Sequence, residues 1–210
     1  MELMISPVLL IPSAYLIGAV PTAYLLVRLF RGVDVRTVGS GNVGATNAAR
    51  AGGVWIGLLV FLLDAFKGAL PIWLARQLLV SQDVVAEWTV PAVMLAVVGG
   101  HVFSVFLRFS GGKGVATAAG AMLVAAPGAA AWCLGLFTVV VGITRYVSLG
   151  SVLACGLFAV LAVSGSAFPS YPTGARLLVC SVPVLIIIRH AANIRRLIAG
   201  TEHKVGSRAR

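Results

Sequence analysis

The sequence predicts an all-α integral membrane protein of seven transmembrane helices, with its N-terminus outside and its C-terminus cytoplasmic. Residues 1–210 read as one polytopic membrane domain. Three observations lead there. The chain is 60% hydrophobic and only 10% charged, with a mean hydropathy of +1.02, where a soluble domain carries about 25% charged residues. It contains several apolar runs near the ~20 residues that cross a bilayer. Its base is unevenly distributed between alternate loops, as the positive-inside rule requires. The composition excludes an ordinary soluble enzyme, a disordered chain and a nucleic-acid module, so the net charge of +10 reads as topology rather than polyanion binding.

The elements follow in order. Ile5–Val27 is the first span; it is too long for a signal h-region, and Glu2 stands where a signal peptide carries base, so it reads as a retained anchor. Gly52–Leu74 is the second span, interrupted by Asp64 and Lys67, and Val90–Leu107 is the third. Val115–Ile143 is either one overlong helix or two divided at Pro127-Gly128, a strong turn pair. Val147–Ala167 and Thr173–Ile188 complete the set.

Charge decides the ambiguous stretch. With two helices there, thirteen of the sixteen Lys and Arg face the cytoplasm. Arg76 and Arg176 alone face outward, and Lys67 is intramembrane. With one helix, the basic tail moves to the other side and the asymmetry is lost. Cys133, Cys155 and Cys180 lie in apolar runs and read as packing residues, and no internal repeat is visible.

Polar residues concentrate in three segments, all cytoplasmic in this topology, which points to a single site. In the first, Gly39, Gly41 and Gly44 allow positive φ and close approach of backbone N–H groups. Ser40, Asn42, Thr46 and Asn47 add neutral donors, and Arg50 adds a fork suited to phosphate. The second ends in Gly111, Gly112, Lys113 and Gly114 at a helix start, a fragment of a phosphate loop without full nucleotide spacing. Amides at a helix N-terminus with a lysine attract a phosphate or carboxylate. His101, ten residues upstream of Gly111, is either a ligand or a hydrogen-bonded packing residue. In the third segment His190 and Asn193 are three apart and share a helix face, with His190 placed to act as a base or an orienting donor. Asp64 and Lys67 neutralise each other as a strut.

No aspartate-rich cluster or zinc signature is present, so neither a metal nor another cofactor is expected. Cations and amides facing a membrane suit a phosphate-bearing substrate whose product is a lipid. A membrane transporter for an organic phosphate would use the same cations, but the missing repeat and the one-sided motifs speak against it.

The three segments resemble the signature motifs of the bacterial acyl-phosphate:glycerol-3-phosphate acyltransferases, the PlsY family. Gly39 to Arg50 and Arg189 to Lys204 match the first and third motifs throughout. The middle motif, Gly100 to Thr117, departs at Ser104, where the family usually has proline, and at Ser110, where it often has lysine. Leu63–Gly68 and Tyr146–Gly150 extend the likeness over nearly the whole chain.

The resemblance implies a multi-pass enzyme of the bacterial inner membrane with its active site at the cytoplasmic face. It would transfer a fatty acyl group from acyl phosphate to the 1-hydroxyl of glycerol 3-phosphate, giving lysophosphatidate and phosphate. No nucleic acid and no obligate protein partner are implied; membrane lipid is the surroundings. Ser40, Arg50, Lys113, His190 and Asn193 would line the site, with Thr117 in the middle motif and Glu202 supporting the third. Lys113 and the Gly111–Gly114 amides would take the acyl-phosphate phosphate, and Ser40, Asn42 and Arg50 the second phosphate and the developing oxyanion. Either His190 or a substrate phosphate would take the hydroxyl proton.

Overall fold

The computed structural model describes residues 7–79 and 83–205. Glu2 and Ile5, and two of the thirteen cytoplasmic bases counted above, Arg208 and Arg210, lie outside these. All regular structure among the described residues is helical. The chain divides into two compact units, residues 1–125 and 126–210.

The first unit opens with α1 (Pro7–Ala19) and α2 (Thr22–Arg31). The expected first span stands as one apolar stretch, Leu9–Arg31, but its helix is interrupted at Val20-Pro21. Pro21 lacks an N–H and disfavours helical backbone at the residue before it. A short 3₁₀ turn, Val35–Thr37, leads through the glycine loop to α3 (Ala45–Gly52). Val35 and Val43 plug this loop into a core made with Ala23, Val27, Ala48, Val60 and Leu107. The loop is thereby fixed from beneath by apolar burial.

The chain turns at Gly53 into α4 (Val54–Leu78), which carries Asp64 and Lys67. Helix α5 (Asp83–Val102) starts before the predicted apolar run; Glu87 lies near its start, where the helix dipole favours acids. The 3₁₀ turn Val105–Leu107 and the second glycine segment follow, then α6 (Val115–Ala125).

Helix α1 packs on α5 and α4 on α6. Both contacts are backbone-close. A Cβ on Gly68 would lie 1.9 Å from the Thr117 carbonyl oxygen, and one on Gly120 equally close to that of Ala65. Small residues at such crossings are how apolar helices approach one another in lipid.

The second unit holds α7 (Pro127–Thr144), α8 (Val147–Val163), α9 (Thr173–Arg189) and α10 (Ala191–Ile198). The overlong apolar stretch does divide, with Ala126 leaving helical geometry and Pro127 opening α7. Helices α7 and α9 pack on α8, and α10 bends 54° away from α9 at His190. The tail is tied back by Arg145: its carbonyl accepts the Val205 N–H and its guanidinium donates to the Val205 carbonyl, both at 2.8 Å.

Among the described residues, four stretches are long and apolar enough to cross a membrane: Leu9–Arg31, Val54–Leu78, Val84–Leu107 and Pro127–Thr144. The bent pair α9 and α10 makes a fifth, while α6 and α8 are shorter apolar helices. Helix α6 spans only about 17 Å at 1.5 Å per residue.

Candidate active site

The first glycine segment is a loop organised around Asn47. Gly39 and Gly41 have φ of 57° and 67°, the left-handed backbone expected of them. Gly44 instead is extended at φ −145° and precedes α3. The buried Asn47 accepts the Ser40 N–H on Oδ1 at 3.0 Å and donates through Nδ2 to the Val35 and Val38 carbonyls, each at 2.9 Å. Its expected role as a ligand is corrected: the amide is spent inside the loop, where it shapes the backbone that presents Ser40. Ser40, Thr46 and Arg50 are exposed and Asn42 is half-buried. The Arg50 stem lies against Gly39, 3.4 Å from where a Cβ would stand. Arg31 donates twice to the Gly52 carbonyl, at 3.1 and 2.8 Å, and fixes the far end of α3. Nearby, Asp34 accepts the Arg36 side chain and its N–H, and these bonds hold its carboxyl below the usual range.

The second segment is zipped onto the end of α5. The Gly111 N–H donates to the Val102 carbonyl at 3.1 Å and the Gly112 N–H to the His101 carbonyl at 3.0 Å. The expectation that these two amides face an anion is corrected: they satisfy the carbonyls that the end of α5 leaves over. Gly114 opens α6, its carbonyl accepting the Ala118 N–H at 2.8 Å. The N–H groups of the first turn, from Val115 on, have no acceptor within their own helix. Lys113 stands half-buried at that start. Thr117, expected at the substrate, is fully buried and its hydroxyl meets His101 Nδ1 at 3.1 Å.

Beneath this loop lies a polar network in the apolar interior. Lys67 Nζ pairs with Asp64 Oδ1 at 2.8 Å and donates to the Val20 carbonyl at 2.8 Å. Asp64 Oδ1 also accepts the Thr22 hydroxyl and lies 3.6 Å from His101 Nδ1. The Ser104 hydroxyl, 2% exposed with its residue, donates to the Ala19 carbonyl. At the Pro21 break the Ala19 carbonyl thus takes a side-chain donor, and the Val20 carbonyl accepts Lys67 beside the Thr22 N–H at 3.0 Å. Ser104 itself has φ −63°, the angle a proline would impose, so the departure from the family's usual residue keeps the backbone. A small cavity, with room for about one water, is lined by Val20, Thr22, Lys67, His101, Ser104 and Gly112, among others.

The third segment is built on a bend. His190 is the residue between α9 and α10, and Asn193 follows on the first turn of α10, so they share a turn rather than one straight helix. His190 is 2% exposed, with Nδ1 2.8 Å from the Ile186 carbonyl. A carbonyl only accepts, so Nδ1 carries the proton and, in the neutral ring, Nε2 is the acceptor nitrogen. Glu202 gathers this segment. Its Oε1 accepts from Ser148 at 2.9 Å and Asn193 Nδ2 at 2.6 Å, and its Oε2 accepts from Arg196 Nε at 2.7 Å. Burial alone would raise its pKa; the bonds from Asn193, Arg196 and Ser148 and the Arg196 charge outweigh it and hold the carboxyl below its ordinary 4.5.

Sequence reasoning paired Asp64 with Lys67 and gave Glu202 its supporting place. It missed Thr22, noted Ser104 only as a departure from the family pattern, and assigned no role to Ser148. The available signal was a hydroxyl residue beside a proline or at a helix start in an apolar run.

A helical fold with several stretches long and apolar enough to cross a membrane places the chain among integral membrane proteins, and its relatives place it among the acyltransferases. The chain matches the model of the family described as Glycerol-3-phosphate acyltransferase over residues 8–200, and it belongs to that family. Glycerol-3-phosphate acyltransferase of Anaeromyxobacter dehalogenans (strain 2CP-C) is 46% identical over 93% of this chain and 96% of its own. That of Geobacter sulfurreducens is 41% identical over 96% and 98%. Among solved structures, PlsY (YgiH), an integral membrane glycerol 3-phosphate acyltransferase, is similar in two forms. The glycerol 3-phosphate form has a TM-score of 0.85 and 39% identity over 95% of this chain and 96% of its own. The lysophosphatidic acid form has a TM-score of 0.82 and 38% identity over 95% of each.

Proposed function

We propose that this acyltransferase moves a fatty acyl group from acyl phosphate to the 1-hydroxyl of glycerol 3-phosphate, releasing lysophosphatidate and phosphate. It does so as a seven-span protein of the bacterial inner membrane, N-terminus outside, C-terminus and active site cytoplasmic. The observation that carries the reading is the histidine at the α9–α10 bend: its hydrogen bond to Ile186 places the proton on Nδ1, so in the neutral ring the lone pair that an attacking hydroxyl needs is on Nε2. The solved relatives with glycerol 3-phosphate and with lysophosphatidic acid support an acceptor and product of that chemistry.

The roles divide as follows. His190 Nε2 accepts the hydrogen bond of the 1-hydroxyl and Asn193 is held beside it in sequence by Glu202. Ser40, Asn42 and Arg50 meet the acceptor phosphate and the developing oxyanion. Lys113 and the opening amides of α6 take the phosphate of the donor. The hydroxyl oxygen attacks the acyl carbon, the carbon–oxygen bond to phosphate breaks, and the hydroxyl proton ends on the released phosphate. Phosphate leaves readily, so positioning and charge stabilisation dominate catalysis.

The test is purified protein in detergent with acyl phosphate and glycerol 3-phosphate, reading released phosphate and lysophosphatidate. Comparable turnover with acyl-coenzyme A overturns the donor assignment. Single cysteines at Thr37, Ser110 and Ser207 (the last outside the described residues), in a background without Cys133, Cys155 and Cys180, test the topology: all three are blocked only by reagents that reach the cytoplasm, and labelling of Ser110 and Ser207 from opposite sides overturns the seven-span reading.

A further inference from the structure

His101 lies in none of the roles above, yet its geometry is specific. Its ring is pinned on one edge, Nδ1 meeting Thr117 Oγ1 at 3.1 Å with Asp64 Oδ1 at 3.6 Å. The opposite edge supports Gly112: a Cβ built there would lie 2.2 Å from Nε2 and 2.8 Å from the Val43 carbonyl. The His101 carbonyl accepts the Gly112 N–H at 3.0 Å, so ring and backbone hold the same residue from two sides. The pinning partners come from α4 and α6, and Asp64 is itself fixed by Lys67 and Thr22. The chain from the Pro21 break to Gly112 is therefore continuous: Val20 carbonyl, Lys67, Asp64, His101, Gly112.

We propose that His101 is a positioning residue, which seats Gly112 and through it sets Lys113 and the start of α6 for the phosphate they bind. Gly112 contacts both the ring and Val43 of the first glycine segment, so its position also sets the spacing between the two loops of this unit. The proposal rests on the reading that this segment binds a substrate phosphate. It predicts a particular separation of effects. Asparagine at 101 can reproduce the contact that Nδ1 makes with Thr117 but leaves the space occupied by Nε2 empty. Alanine removes both.

The experiment measures thermal stability, kcat and KM for each substrate in H101N, H101A, T117V and G112A, and in the double variant H101N/G112A. Expected is a KM at least tenfold higher for acyl phosphate in H101N, with kcat within threefold and melting temperature near that of the parent. T117V shows a smaller rise in the same KM. In the parent, G112A forces its methyl onto the ring and the Val43 carbonyl; with H101N the ring contact is gone, so the added methyl costs less than the two single effects multiplied together. A KM rise confined to glycerol 3-phosphate also supports positioning by His101, while showing that the loop holds the other substrate. Unchanged KM for both substrates in H101N, or effects of H101N and G112A that multiply in full, overturns the proposal. H101A failing to fold leaves the H101N and T117V readings in force.

Discussion

Replacing Glu202 with alanine removes the carboxylate on which Ser148, Asn193 and Arg196 converge. Ser148 and Asn193 are 7% and 8% exposed, so each loses its acceptor in a place water reaches poorly. An unsatisfied buried group costs about 1–3 kcal/mol. Glu202→Ala should therefore cost about 2–6 kcal/mol in total, an apparent melting temperature lower by about 2–4 °C per kcal/mol at this chain length. Glu202→Gln is the informative contrast. Its carbonyl still accepts from Ser148 and Asn193, while its NH₂ meets Arg196 Nε donor against donor. That guanidinium is 37% exposed, so solvent screens the lost charge and the cost falls to about 1 kcal/mol.

The pH dependence has a definite sign. The folded carboxyl ionises below its ordinary 4.5, so its contribution is complete above that value and is lost as pH falls through the folded pKa. The stability gap between the parent and Glu202→Gln should narrow on acidification. Activity reports the same geometry, because Asn193 is oriented by Glu202: kcat should fall more than tenfold in the alanine variant and less in glutamine. The assays are phosphate release and thermal unfolding in detergent from about pH 7 to about pH 3.5. An alanine variant with the parent's kcat and melting temperature would refute the reasoning, as would a gap to glutamine that stays constant with pH.

Lys113→Ala should lose more than tenfold in activity, about 1.4 kcal/mol, the loss of a charge-assisted phosphate contact; near-normal kinetics for both substrates would assign the lysine to headgroups alone. Asp64→Asn and Lys67→Met should each cost about 3–5 kcal/mol by stranding a buried charge, and the double variant less than their sum, read as thermal stability and folded yield. Ser104→Pro should stay active because φ is already −63°. Ser104→Ala, which loses the bond to the Ala19 carbonyl, should be less stable by about 1 kcal/mol. Activity should persist in excess EDTA with demetallated substrates, since Asp34, Asp64 and Glu202 are each engaged by a cation; a titratable Mg²⁺ requirement lost in Asp34→Asn would show otherwise.

Two proline breaks show which parts of this fold a sequence reveals. The break before Pro127 was readable because its causes are local: a Pro-Gly pair, and a charge count that needs an extra crossing. The break at Pro21 was not. Pro12, Pro71, Pro91 and Pro183 all lie inside helices, so a proline in an apolar run does not by itself end one. At Pro21 the outcome also turns on partners far along the chain: Ser104 satisfies the Ala19 carbonyl, and Lys67 joins the Thr22 N–H on that of Val20. The same division runs through the site. Asp64 and Lys67 were legible as a pair because buried charge three residues from its opposite has few alternatives. Gly111, Gly112 and Asn47 have the composition of an anion cradle, and nothing local distinguishes an amide that meets a ligand from one that meets its own chain. Their acceptors, His101, Val102, Val35 and Val38, are ordinary carbonyls whose availability depends on where α5 ends and how the first loop folds back. Polar residues in the motifs thus serve two purposes. Those nearest the apolar core build the loops, and on the proposed reading the exposed or half-buried Ser40, Asn42, Arg50 and Lys113 meet the substrates.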